Sequence, residues 1–298
     1  MEIIIAIVLL GGLSLILGLI LAAASKAFYV ETDPRLEQLN NCLPCANCGG
    51  CGYAGCSSYA EAVLNGETSI DKCASGGNES AQAMAAIMGV PAVNVTRKVA
   101  LIRCSGEKIY NKDGNLIYGA KTKGTYEGIH DCMAASKVGG HGPLACKFGC
   151  LGYGSCVKKC KYGALSIQNG VAVVDEDLCV GCMACAAACP RGLIVSVDPG
   201  RNVVIACNSL AKGAVTTRGC TVGCVGCGLC SKICPNDAIT VTKNLAVIDY
   251  SKCDNCGLCA TVCPKKLIKD SKVETLPDPG LVHSRNNPDA VVYQASKK

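Results

Sequence analysis

The stretch CVGCGLCSKICPNDAITVTKNLAVIDYSKCDNCGLCATVCP, residues 224 to 264, holds eight cysteines in two groups of four. Within each group the spacing is two, two and three residues, and a proline follows the last cysteine. This constrains the fold more than any hydrophobic pattern in the chain. Three thiolates on one tight loop can cap three irons of a cube, while the fourth iron faces away and takes its ligand from the other group. The spacing predicts one 4Fe-4S cluster on Cys224, Cys227, Cys230 and Cys263 and a second on Cys234, Cys253, Cys256 and Cys259. Structural zinc also uses paired C-x2-C groups, but the full run with its proline, made twice, is the iron-sulfur pattern.

An internal period of 74 residues runs through this region. Cys146, Cys150, Cys156, Cys160, Cys179, Cys182, Cys185 and Cys189 each have a cysteine 74 positions on, and Gly152, Ala164, Asp175 and Pro190 are matched in the same register. A fixed period of this kind marks a repeated structural unit, here two ferredoxin-like modules in tandem. Between the cysteine groups, ALSIQNGVAVVDEDLC and AITVTKNLAVIDYSKC read as two short strands around a turn at Gln168-Asn169-Gly170 or Lys243-Asn244. The first module departs from the second in two places: Tyr153 stands where the second has Cys227, and Lys161 follows Cys160 where Pro235 follows Cys234. With Cys146 as the nearest spare thiol, the first module is expected to hold one cluster on Cys146, Cys150, Cys156 and Cys189 and another on Cys160, Cys179, Cys182 and Cys185.

A different constellation lies upstream. Cys48, Cys51, Cys56 and Cys73 are spaced C-x2-C-x4-C-x16-C among Gly49, Gly50, Gly52 and Gly55. The glycines let backbone amides approach the sulfurs, and such hydrogen bonds help set a reduction potential. The segment SSYAEAVLNG after Cys56 reads as a short helix ended by Gly66. This spacing is less diagnostic than the ferredoxin run, and zinc is the alternative reading. Six of the 26 cysteines remain: Cys42, Cys45, Cys104, Cys132, Cys207 and Cys220. Cys132 and Cys207 precede Cys146 and Cys220 by similar distances, so Cys104, Cys132, Cys207 and Cys220 are read either as a sixth cluster site or as buried thiols packing as small hydrophobes.

So many cysteines in ligand spacings, in a chain of 298 residues, do not read as the disulfide scaffold of a short secreted domain. The formal charge of +6 counts each cysteine as neutral; five or six cubes at about −2 each bring it to roughly −4 to −6. No run of Lys and Arg interleaved with aromatics argues for nucleic acid as a partner. Residues 3 to 24, IIIAIVLLGGLSLILGLILAAA, carry no charge and are long enough for a transmembrane helix. A signal peptide would have a shorter apolar region after positive charge, whereas Glu2 precedes this one. Lys26 and Arg35 follow the span, which places the rest of a single-pass chain on the cytoplasmic side of the cell membrane.

The expected fold is therefore α+β. A transmembrane anchor (1–26) leads into a membrane-proximal 4Fe-4S domain (27–95) and a connecting region (96–145). The two modules (146–196 and 197–270) and a C-terminal tail (271–298) follow.

With these pieces assembled, the chain resembles the B subunit of the Rnf complex, the membrane-bound ferredoxin:NAD oxidoreductase, in its long clostridia-type form. The resemblance rests on the N-terminal anchor, LPCANCGGCGYAGC with Cys73, VALIRCSGE and the ferredoxin-like region. It implies a multi-cluster electron-transfer subunit, with soluble ferredoxin as donor and the other subunits of the complex as partners, coupled to Na+ or H+ translocation. Cys45 stands where the family has a glycine after LP. No G-x-G-x-x-G after a strand and no P-loop is found, and His130, His141 and His283 are scattered. Hydride chemistry is therefore expected on another subunit, and no catalytic residue is assigned here. The alternatives are an iron-sulfur subunit of another membrane oxidoreductase, or a redox sensor, for which one labile cluster would suffice.

Overall fold

In the computed structural model the described residues are 2–27, 33–110, 116–201 and 203–270, and within the first helix side chains are described at Ile5 and from Leu10 to Lys26. The tail expected from residue 271 onward lies outside them. Helix α1, Glu2–Ala27, carries the apolar N-terminal run. Of its described side chains, Leu10, Leu13, Leu19 and Ile20 among others stand exposed. Over the described residues, no helix is long and apolar enough to cross a membrane. Ile3, Ile4 and Ala6 to Leu9, which belong to the span expected at 3 to 24, fall outside the described side chains.

Three helices build the next unit. Helix α2, Pro34–Asn41, starts on Asp33, whose carboxylate accepts the Arg35 amide at 2.8 Å, with proline at the first helical position. Helix α3, Cys56–Leu64, covers the segment read as helical and stops where Gly66 takes φ 72°. Helix α4, Gly77–Met88, ends on Gly89 at φ 65°. Their apolar faces meet at Leu39, Tyr59, Val63 and Met84, all essentially buried. Each such side chain contributes about 1.5–3 kcal/mol. The Tyr59 hydroxyl donates to the Ser69 carbonyl at 2.9 Å and accepts the Lys72 amide at 3.3 Å, so its burial leaves no polar group unpaired.

The connecting stretch holds β1 (Val99–Ile102), a small hairpin of β2 (Ile109–Tyr110) and β3 (Leu116–Tyr118), and α5 (Cys132–Lys137). The first module follows as α6 (Ser155–Lys159), β4 (Leu165–Gln168), β5 (Val171–Val174), α7 (Ala184–Ala187) and β6 (Ile194–Val197). After β7 (Val203–Ile205) and α8 (Gly213–Gly219), the second module repeats the series as α9 (Leu229–Ile233), β8 (Ile239–Thr242), β9 (Leu245–Ile248), α10 (Leu258–Thr261) and β10 (Ile268–Asp270).

Each element of the first module begins 74 residues before its counterpart, so the period read from cysteines is a period of backbone. The hairpins β4-β5 and β8-β9 turn on Asn169-Gly170 and Lys243-Asn244, all at positive φ. Two-residue turns of that kind match the twist of the paired strands. Gly152 and Gly226 occupy equivalent positions at φ 76° and 70°, and a β-carbon there would stand 2.5 and 2.9 Å from the carbonyl oxygens of Gly170 and Asn244. The cysteine loop can lie on its hairpin only because a glycine is there.

Each module borrows one strand. Antiparallel β1 pairs with β6, Val99 opposite Val197, and β7 pairs with β10, Ile205 opposite Ile268. Part of the connecting stretch is thus built into the first module. A further core of Tyr118, Ala120, Ala135, Leu144, Leu151 and Val222 lies between the two modules.

Candidate metal centres

In the second module, Cys224, Cys227, Cys230 and Cys263 line one cavity, whose other walls include Ala246, Leu267 and Ile268. Cys234, Cys253 and Cys259 pack into the same core. Burial, then Cys230, Cys253 and Cys256 as neighbouring thiols, push Cys259 up to about 12. Cys227 and Cys256 are exposed.

In the first module, Cys132, Cys150, Cys156 and Cys189 line the equivalent cavity. The spacing-based expectation had Cys146 in this set and placed Cys132 elsewhere. The physical reason for the difference lies in Tyr153, which takes the position of Cys227 and packs against Tyr126, tilted, and His130, edge-on, with ring centroids 5.4 Å apart in both pairs. The thiol missing from the loop comes instead from the start of α5. Asp131 caps that helix, accepting the Met133 and Ala134 amides at 2.8 and 3.0 Å. Ser155, at the start of α6, donates to Asp131 at 2.7 Å and accepts the Cys132 amide at 2.7 Å. This clamp fixes Cys132 beside Cys156. The Ser155 hydrogen bond, followed by that from the Ala134 amide, holds the Asp131 carboxyl below its ordinary range.

Cys160, Cys179, Cys182 and Cys185 come together as expected in position. Burial, then Cys182 and Cys179, raise Cys185 to about 11.

Cys104, Cys146, Cys207 and Cys220 line a cavity between the modules. The expected sixth set had Cys132 in place of Cys146. The four thiols form two pairs related by the repeat. Cys104 and Cys207 each follow the borrowed strand of their module, and Cys146 and Cys220 are 74 residues apart. The hydrogen bonds repeat as well: the Cys150 and Gly106 amides donate to Cys104 Sγ at 3.3 and 3.4 Å, and the Cys224 and Ser209 amides to Cys207 Sγ at 3.3 and 3.5 Å. Burial pushes Cys104 up to about 12 and Cys220 to about 11.

Upstream, Cys48, Cys51, Cys56 and Cys73 line a cavity beside Gly49, Gly50 and Gly55, as their spacing suggested, and Cys182 of the first module closes it. Burial alone would raise the Cys48 thiol, but hydrogen bonds from Ser75, the Gly50 amide and Cys182 outweigh it and hold that thiol below its ordinary value. A β-carbon on Gly50 would run into the Cys182 carbonyl. Lys161 donates to the Ala46 and Asn47 carbonyls at 2.7 and 3.2 Å, which ties the same loop to the first module. Cys42 packs at the helical core, and Cys45 is exposed; neither lines this cavity.

The donor sets fit iron-sulfur cubes. Four of the cysteine sets line cavities of their own, and several of the sulfurs receive backbone amides.

Comparison with known proteins extends this. Residues 43–75 match a family described as a putative Fe-S cluster, residues 172–195 a 4Fe-4S binding domain, and residues 223–267 a 4Fe-4S dicluster domain. Cys104, Cys132, Cys146, Cys207 and Cys220 lie outside all three. The chain is 42% identical over 254 residues to the B subunit of the proton-translocating ferredoxin:NAD(+) oxidoreductase complex of Clostridium ljungdahlii, covering 85% of this chain and 86% of that one. It is 39% identical over 253 residues to the B subunit of the Na(+)-translocating complex of Acetobacterium woodii, covering 85% and 73%. It is 37% identical over 249 residues to the B subunit of an ion-translocating oxidoreductase complex of Methanosarcina acetivorans, covering 83% and 90%. With its cysteine-lined cavities and likeness running through most of its length, the chain belongs to the B-subunit family of ion-translocating ferredoxin:NAD(+) oxidoreductase complexes.

Proposed function

We propose that this chain is the electron-wiring subunit of such a complex, carrying electrons from reduced ferredoxin toward NAD while partner subunits translocate Na+ or H+. The observation that carries the reading is that each cysteine set lies beside the next, in one continuous order. A 4Fe-4S cluster, when bound, accepts and returns a single electron. The residues form six such sites. Cys234, Cys253, Cys256 and Cys259 adjoin Cys224, Cys227, Cys230 and Cys263 through the Cys230–Cys259 neighbours. The latter set adjoins Cys104, Cys146, Cys207 and Cys220 through the Cys224 amide on Cys207 Sγ. That set meets Cys132, Cys150, Cys156 and Cys189 through the Cys150 amide on Cys104 Sγ. Cys156 and Cys185 lead on to Cys160, Cys179 and Cys182, and Cys182 meets Cys48 of the last set, Cys48, Cys51, Cys56 and Cys73.

Entry of electrons is assigned to the second module. Its Cys227 and Cys256 are exposed, and Leu229 and Leu258, each 44% exposed, offer an apolar docking rim. Exit is assigned to the upstream set, which follows α1 closely in sequence. The apolar run at 3 to 24 supports a membrane anchor with the metal sites on the cytoplasmic side. A carbonate wash should leave the chain in the membrane fraction; recovery of a soluble chain starting near Ser25 would contradict the anchor. An electron wire stands or falls on the occupancy of its sites, so the decisive test is iron and sulfide analysis with reductive titration. About 24 irons per chain, at four per cube, is the expected result; stoichiometric zinc would overturn it.

A further inference from the structure

Among the described residues, the buried side-chain polar atoms without a hydrogen-bond partner are Thr68 Oγ1, Arg103 Nε, Ser105 Oγ and Tyr162 Oη. Two of them, Arg103 and Ser105, line the same cavity, that of Cys104, Cys146, Cys207 and Cys220. Its wall also holds Asn208, Ser209 and Thr216. The cavities on either side are different. Apart from their cysteines they present Leu193, Ile194 and Ala172 on one side and Leu267, Ile268 and Ala246 on the other. Each has one cation, but both cations donate to the backbone: Arg191 to the carbonyls of Cys146, Gly149 and His141, and Lys265 to that of Thr221.

Arg103 is held across the seam between the modules. Its Nη2 donates to Asn208 Oδ1, and Asn208 Nδ2 donates to the Arg191 carbonyl at 3.3 Å. The fork is thus fixed while Nε–H has no acceptor among the described residues. Ser105, 3% exposed, spends its amide on the Ala206 carbonyl at 2.9 Å and keeps its hydroxyl free. A buried donor left unpaired costs about 1–3 kcal/mol. Two such donors at one cysteine-ringed cavity indicate acceptors of the kind that sulfur atoms supply.

Resting on the six-site reading above, we propose that Arg103 and Ser105 donate to the cluster held at this junction and raise its potential above those of the two sites that flank it. Reduction adds one negative charge to the site, supplied by one electron from a neighbouring reduced site. A guanidinium and a hydroxyl aimed at its sulfurs stabilise that added charge, as hydrogen bonding and local charge do for iron-sulfur potentials in general. An electron arriving from the second module therefore rests between the modules before it moves on, and the junction fills before the two sites beside it.

The test is potentiometric EPR titration of the full, cluster-loaded chain with parallel iron analysis. Cys104→Ala should lose about four irons, one cube's worth, and with them the signal that appears ahead of those of the two flanking sites as the potential is lowered. Arg103→Gln should retain iron and move that signal to lower potential with the others unmoved. Arg103→Lys should move it less, and Ser105→Ala should give a smaller shift in the same direction. Should Arg103→Gln lose iron, Ser105→Ala alone decides. An unmoved signal in iron-replete Arg103→Gln and Ser105→Ala, or survival of that signal in Cys104→Ala with its irons lost, overturns the proposal while leaving the six sites standing. Full iron in Cys104→Ala overturns the six-site reading and this inference together.

Discussion

The two ferredoxin-like modules share one backbone period and differ where neighbours touch them. In the second, the loop supplies Cys227, Pro235 follows Cys234, and α9 and α10 present Leu229, Ile233 and Leu258 to solvent. In the first, the same positions hold Tyr153, Lys161, Ser155, Lys159 and Ala184. Tyr153 yields its ligand position to Cys132, Ser155 clamps the helix that brings Cys132, and Lys161 ties down the upstream cysteine loop. The first module's departures are contacts, which suits the interior relay proposed for it. The second leaves the equivalent surface open, which suits the proposed entry point. A repeat can therefore keep its scaffold while one ligand moves to another element, provided a residue at the vacated place holds that element.

The largest effect expected from this comparison is at Cys132. Cys132→Ala should remove about four irons, one cube's worth, and stop electron transfer across the first module. Adding Tyr153→Cys, which copies the second module, should restore the irons; failure to do so would mean that the two loops are not equivalent. Ser155→Leu, also copied from the second module, should weaken the same site by loosening α5, seen as slower iron uptake.

Next in size are changes at the upstream contact. Gly50→Ala, which sets a β-carbon against the Cys182 carbonyl, should separate the upstream loop from the first module. Lys161→Pro should do so more gently by removing two hydrogen bonds. Both should leave iron content intact and slow reduction of the upstream site in stopped-flow mixing with reduced ferredoxin.

Copying the first module onto the second tests the terminus. Leu229→Ser with Leu258→Ala should raise the ferredoxin concentration needed for half-maximal reduction by roughly tenfold, the loss of about 1.4 kcal/mol expected for truncated apolar contacts in an interface. Unchanged kinetics would place the entry elsewhere.

The smallest expected difference is in acid. A thiol must shed its proton to bind iron. Burial raises Cys104 to about 12 and Cys220 to about 11, which favours the protonated forms; in the upstream set burial also raises Cys73, but Cys48 is held below the ordinary thiol value. Occupancy should therefore fall as pH falls at every site, and the junction should empty at a higher pH than the upstream set. Iron retained per site, followed by EPR through an acid titration, measures the order.

Much of this is legible in the cysteines. Spacing alone groups the second module's eight thiols and the upstream four, because ligands on one short loop are near in space whenever they are near in sequence. The hairpin turns are also readable, Asn169-Gly170 and Lys243-Asn244 being residues that tolerate positive φ. Cys132 and Cys146 exchange places between expectation and structure because nearness in sequence ceases to be a guide once a ligand comes from a separate element. Two signals point to the grouping seen in the cavities. Cys146 and Cys220 are matched by the period, and Cys104 and Cys207 follow similar apolar strands, VALIRC and VVIAC. Arg103 and Ser105 carry no such mark, since their meaning lies in what they fail to bond.

On the proposed wiring, electrons pass in single file through the junction between the modules. Cys220→Ala removes a junction ligand and leaves the ligands of the other five sites in place. In that variant, mixed with reduced ferredoxin and frozen for EPR at successive times, the second module's signals should appear at the normal rate while the upstream site of Cys48, Cys51, Cys56 and Cys73 stays oxidised. Reduction of that upstream site at a rate near that of the unaltered chain, with iron analysis confirming the junction empty, would contradict the account.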